Sequence, residues 1–63
     1  MINAIKVICV VAIAKLFNGA KLFFYPDEIY ECEIINDIYR VFYDFRYAPF
    51  THEEFKDYFK IIA

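Results

Sequence analysis

The chain has no serine, glutamine or tryptophan, and only one glycine, one histidine, two prolines and two cysteines in 63 residues. These scarcities exclude a good deal of chemistry. One glycine cannot build the Gly-rich loop that cradles phosphate. A metal site needs several converging ligands, and His52 beside Glu53 does not supply them, so His52 reads as a solvated residue. Cys9 and Cys32 lack CxxC spacing. Each lies among apolar neighbours, where a free cysteine behaves as a small hydrophobe, so two buried reduced thiols are expected. Cys9 also has no electropositive setting and no nearby base to make it a nucleophile. The acids Asp27, Glu28, Glu31 and Glu33 surround a turn and alternate along a strand, which reads as a solvated face. No catalytic motif remains, and neither an enzyme nor a cofactor is expected.

Neither basic nor acidic residues gather into a block. Seven bases and nine acids are interspersed, giving a net charge of −2. No basic block exists to neutralise phosphates, so nucleic-acid binding is not expected. A single-stranded platform of aromatics with Lys and Arg would set Glu31, Glu33 and Asp44 against the backbone it must hold.

What is abundant is apolar: 62% of the residues are hydrophobic and 22% aromatic. That excludes disorder. Residues 1–63 form one domain, too small to hide so much apolar surface in a core of its own. A second copy, another protein or a membrane is the expected remedy. The palette of Ile, Phe, Tyr, Lys and Asn uses A/T-rich codons, which associates the chain with an A/T-rich bacterial or viral genome.

The expected fold class is α+β: a small antiparallel β-meander of three or four strands packed by a C-terminal helix. The N-terminal apolar run adds either a further strand or a covering helix. From Ile38 to Tyr47 the sequence predicts one long strand. Tyr39, Val41, Tyr43, Phe45 and Tyr47 line one face, and Arg40, Asp44 and Arg46 the other. Upstream, Ile29–Ile35 alternates, and Asn36-Asp37 makes a two-residue turn. That turn sets Ile34 opposite Tyr39, Cys32 opposite Val41, Tyr30 opposite Tyr43 and Glu33 opposite Arg40. A three-residue loop at Pro26-Asp27-Glu28 then brings Leu22 and Phe24 onto the apolar face and Lys21 beside Glu33. A rival reading at helical period from Pro26 is disfavoured by aromatic and β-branched density.

Thr51 with Glu54 forms a capping box, and Phe50 with Phe55 a hydrophobic staple. Phe55, Tyr58, Phe59 and Ile62 then follow at helical spacing, predicting a helix over Thr51–Ile62 laid on the aromatic stripe. Ile5–Phe17 is the ambiguous segment. Its β-branched run and the Asn18-Gly19 signal favour a strand and hairpin, whereas Asn3 as cap and Gly19 as C′ suit a helix. In either form it is expected to have no solvent face. It is too short to span a membrane. Lys6 and Ala12-Ile13-Ala14 resemble a signal peptide with a minimal apolar region, but a buried element is the expectation, in a cytoplasmic protein.

The face opposite the helix should carry Phe23, Tyr25, Ile29, Ile35, Ile38 and Phe42 among charges that include Glu31, Arg40 and Arg46. Large apolar groups rimmed by both signs of charge characterise a protein-interaction surface. The competing expectation is that the N-terminal run folds over this face. The functional expectation is a non-enzymatic binding module, homodimeric, carried by a phage or mobile element to inhibit a host protein in the host cytoplasm. The alternative is a peripheral membrane protein inserting Ile5–Phe17.

Overall fold

The computed structural model describes residues 4–63. Seven strands and one helix follow in order: β1 (Ala4–Cys9), β2 (Ile13–Phe17), β3 (Ala20–Phe24), β4 (Ile29–Ile35), β5 (Ile38–Tyr43), β6 (Arg46–Thr51), α1 (His52–Tyr58) and β7 (Phe59–Ile61). Five strands make an antiparallel sheet in the order β6-β5-β4-β1-β7, and β2-β3 is a separate hairpin. The class is α+β, with more strands than the three or four expected.

Three two-residue turns set the registers: Asn18-Gly19, Asn36-Asp37 and Asp44-Phe45. Both central residues of each have positive φ (52° and 76°, 50° and 66°, 49° and 65°), as a type I′ hairpin turn requires. The first two were legible in the sequence. Around Asn36-Asp37 the ladder pairs Ile34 with Tyr39, Glu33 with Arg40 and Cys32 with Val41, as the alternation predicts.

The third turn corrects the long strand. Asp44-Phe45 reverses the chain, pairing Tyr43 with Arg46 and Phe42 with Tyr47. Odd residues of β5 therefore share a face with even residues of β6. The aromatic stripe is cut: Tyr39 and Val41 stay on the inner face, Phe45 sits at the turn, and Tyr47 moves to the outer face.

The N-terminal run is strand, and it is central. β1 lies between β4 and β7, pairing Val7 with Tyr30 on one side and with Ile61 on the other. It occupies the place beside β4 that the sequence reading gave to β3. The Pro26 loop is bound to β1, the Asp27 N–H donating to Cys9 O at 2.8 Å and the Cys9 N–H to Glu28 O at 3.0 Å. Lys21 is thus not beside Glu33. Leu22 and Phe24 still face the core, but from the hairpin layered over the sheet. The run does have a solvent face: Val10 and Val11 are exposed where the chain leaves the sheet.

α1 starts as expected. The Thr51 hydroxyl accepts from the Glu54 N–H and the Glu54 carboxylate from the Thr51 N–H. It ends four residues early, at Tyr58. Ile61 and Ile62 favour extended backbone, and β1 offers unpaired groups that outweigh another helical turn. Phe59 pairs with Cys9, and the Ile62 N–H donates to Lys6 O at 2.9 Å.

The core is the space between the inner face of the sheet and the layer of hairpin and helix. Phe24 sits at its centre, its ring 5.0 Å from Tyr30, 5.9 Å from Phe50 and 5.5 Å from Phe59. Phe50 on β6 and Phe59 on β7 lie 5.3 Å apart. In a flat sheet their strands would be about 19 Å apart, four spacings of roughly 4.8 Å. The sheet is therefore strongly curled, with its two edges brought together by their phenylalanines. Its outer face is convex.

Candidate functional site

Period-two alternation through the observed registers assigns the convex face. β4 contributes Ile29, Glu31, Glu33 and Ile35; β5 contributes Ile38, Arg40 and Phe42; β6 contributes Tyr47. β1 adds Lys6 beside Glu31 and Ile8 beside Ile29. Hairpin and helix both pack on the other side, the hairpin reaching round to this face at Tyr47 through Phe17, and among the described residues neither element lies over Ile29 or Ile35. Ile29 remains 56% exposed and Ile35 40%. The expectation that the N-terminal run would fold over it is overturned: Ala4–Cys9 is a strand within the same sheet, and Ile13–Phe17 belongs to the hairpin on the inner side, meeting this face at Tyr47 through Phe17.

Of the nine residues expected to form the interaction surface, Ile29, Glu31, Ile35, Ile38, Arg40 and Phe42 share the convex face. Tyr25 joins them at one corner, where it lines a shallow recess with Ile29 and Phe42 rimmed by Glu28, Glu31 and Asp44. Two residues do not join. Phe23 is exposed on the outward side of the β2-β3 hairpin, between buried Leu22 and Phe24. Arg46 takes inner-face parity opposite Tyr43 because of the turn at Asp44-Phe45.

Tyr47 is the member that sequence reasoning missed. The Arg40 guanidinium lies over its ring at 4.9 Å, and Phe42 is 5.9 Å away. Its signal was the Asp44-Phe45 turn, hidden because phenylalanine seldom occupies a left-handed turn position. Glu33 was expected in solvent but is buried, its register neighbours being Ala4 and Arg40. Among the described residues the two ion pairs are Lys15–Glu54 and Lys56–Glu53. Glu33 and Arg40 are thus ladder neighbours, and Arg40 instead lies over Tyr47.

Past Tyr47 the surface turns the β6 edge into a second feature. Phe17 on β2 packs against Tyr47 with ring centroids 5.4 Å apart. Between the Asn18-Gly19 and Asp44-Phe45 tips lies an open cleft lined by Phe17, Lys21, Leu22, Phe45, Arg46 and Tyr47 among others. Phe45 is fully exposed there. The β6 edge itself is blunted by Pro49, which has no N–H to offer a further strand.

The chemistry of the remaining side chains is sparse. Both cysteines are free and buried. Burial pushes the Cys9 thiol up, and burial with the neighbouring Glu33 carboxylate pushes Cys32 up to about 11. Neither presents a thiolate at neutral pH. Asp27, Glu28, Glu31 and Glu33 do not gather into a metal-binding group, nor do any other His, Cys, Asp or Glu among the described residues. Val7 and Cys9 are core residues of a central strand, so inserting Ile5–Phe17 into a bilayer would dismantle the sheet. No helix among the described residues is long and apolar enough to cross a membrane.

Comparison with family models, curated proteins and solved structures finds no match.

Proposed function

We propose that this chain is a non-enzymatic protein-binding module that works by occupying a surface on another protein, and that it also pairs with a second copy of itself. The observation that carries the reading is the convex face. Ile29, Ile35, Ile38 and Phe42 lie on it beside Arg40 and Glu31, and among the described residues neither hairpin nor helix lies over Ile29 or Ile35. Apolar centre and mixed-charge rim are the anatomy of a protein interface. Arg40 and Tyr47 are of the residue types enriched in binding hot spots. The small size and A/T-rich palette support a phage- or mobile-element-borne inhibitor of a host protein acting in the host cytoplasm.

The test is co-purification from bacterial lysate with the tagged chain and its Ile38→Asp and Phe42→Asp variants. Retention of one discrete protein by wild type, lost in both variants while their thermal midpoints hold, supports the reading. No retained protein, or equal retention by all three, contradicts it.

A further inference from the structure

The cleft between the two hairpin tips has a charge bias opposite to that of the whole chain. The chain carries more acids than bases, yet the charged residues lining this cleft are Lys21 and Arg46, with no carboxylate among them. The neighbouring recess is the reverse, rimmed by Glu28, Glu31 and Asp44. Phe17 and Tyr47 add aromatic surface to the cleft's lining. At its wall stands Phe45, a bulky aromatic at φ +65° with its whole side chain in solvent.

We propose that this cleft binds an acidic segment of a partner protein, one in which aspartate or glutamate alternates with leucine or phenylalanine. Alternate residues of an extended segment point to opposite sides. Its apolar side chains meet Phe17, Tyr47 and Phe45, and its carboxylates turn toward Lys21 and Arg46, the arginine in the bidentate manner that favours carboxylate. Two cations suit a short acidic segment better than a long polyphosphate backbone. The inference rests on the protein-binding reading but uses a neighbouring surface that shares Tyr47 with the convex face, so a variant remote from Tyr47 separates the two.

Isotope-labelled chain is titrated with a synthetic peptide alternating Glu with Leu and Phe, with its Lys-for-Glu counterpart, and with oligodeoxythymidylate. The Glu peptide is expected to saturate and to shift the amides of Gly19, Lys21, Phe45 and Tyr47. Lys21→Glu and Arg46→Glu should each weaken it about tenfold, a loss of roughly 1.4 kcal/mol, while Ile35→Asn, at the far end of the convex face, leaves it unchanged. Lys21→Met and Arg46→Met replace any charge-reversed variant whose spectrum loses its dispersion. Absence of saturable binding, equal binding of the Lys peptide, tighter binding of the oligonucleotide, or shifts confined to the convex face would each overturn the proposal. Loss of self-association with peptide binding intact would instead remove only the dimer.

Discussion

Lys15 Nζ lies 3.0 Å from Glu54 Oε2, tying the β2-β3 hairpin to the helix, while Oε1 of the same carboxylate accepts the Thr51 N–H at 3.0 Å. One side chain therefore closes the capping box and fastens the outer layer. The Lys15 ammonium also lies over the Phe50 ring, 5.2 Å from its centroid. Both partners are partly exposed, at 25% and 45% of their side chains, so solvent screens the pair. A double-mutant cycle of Lys15→Met and Glu54→Gln in urea should give a coupling of about 0.5–1 kcal/mol that shrinks in high salt.

That carboxylate also makes stability depend on pH. The Thr51 N–H first, and Lys15 after it, hold the Glu54 carboxyl below its ordinary value. A carboxyl depressed in the folded state stabilises the fold above its unfolded value, and the contribution is lost as pH falls through the folded value. Stability should therefore decline from the usual carboxylate range downward. Glu54→Gln should flatten that decline in urea titrations at a series of acidic pH values.

The buried thiols act at the other end of the scale. Cys32 ionises near its ordinary 9.0 when unfolded and at about 11 when folded. Its contribution is complete below the unfolded value and is lost as pH rises from 9 toward 11. Cys32→Ala should lessen the alkaline loss. At neutral pH a thiol reagent should label Cys9 and Cys32 only at the rate of unfolding.

At the hairpin tip, Phe45→Gly should stabilise the protein. Relief of the left-handed strain, about 1–2 kcal/mol, exceeds the entropy cost of glycine, about 0.5–1 kcal/mol. The net gain of roughly 0.5–1 kcal/mol corresponds to a rise of about 2–8 °C in midpoint. Gly19→Ala should do the opposite at φ +76°, losing about 1 kcal/mol through backbone alone, since a Cβ there meets nothing within 4 Å. Calorimetry on both variants measures the two signs together.

In the core, Phe24→Ala removes the ring that Tyr30, Phe50 and Phe59 share. The cost of about 3–5 kcal/mol is comparable to the whole stability of a 63-residue domain, roughly 3–9 kcal/mol. The variant should be largely unfolded by circular dichroism, whereas Phe23→Ala, one residue away and 47% exposed, should fold normally.

What could be read from the residues was local. Asn18-Gly19 and Asn36-Asp37 announce their turns, and Thr51 with Glu54 announces a helix start, because each signal lies within a few residues. The β5–β6 turn was missed because Asp44 is followed by Phe45 where a glycine or asparagine would signal the turn, and that one error carried Tyr47 and Arg46 to the wrong faces. The pairing of β1 with β4 and β7 joins Val7 to Tyr30 and Ile61. Long-range partners leave no mark in local alternation, which fixes only the face. The convex surface was legible for the same reason: Ile29, Ile35, Ile38 and Phe42 keep their parity whichever strand lies beside them.

Sedimentation velocity on wild type and Phe42→Asp, from micromolar to millimolar concentration, tests the convex face most directly. A wild-type dimer that Phe42→Asp converts to a folded monomer is the predicted result. A wild-type monomer throughout, or a dimer indifferent to Phe42→Asp, would contradict it.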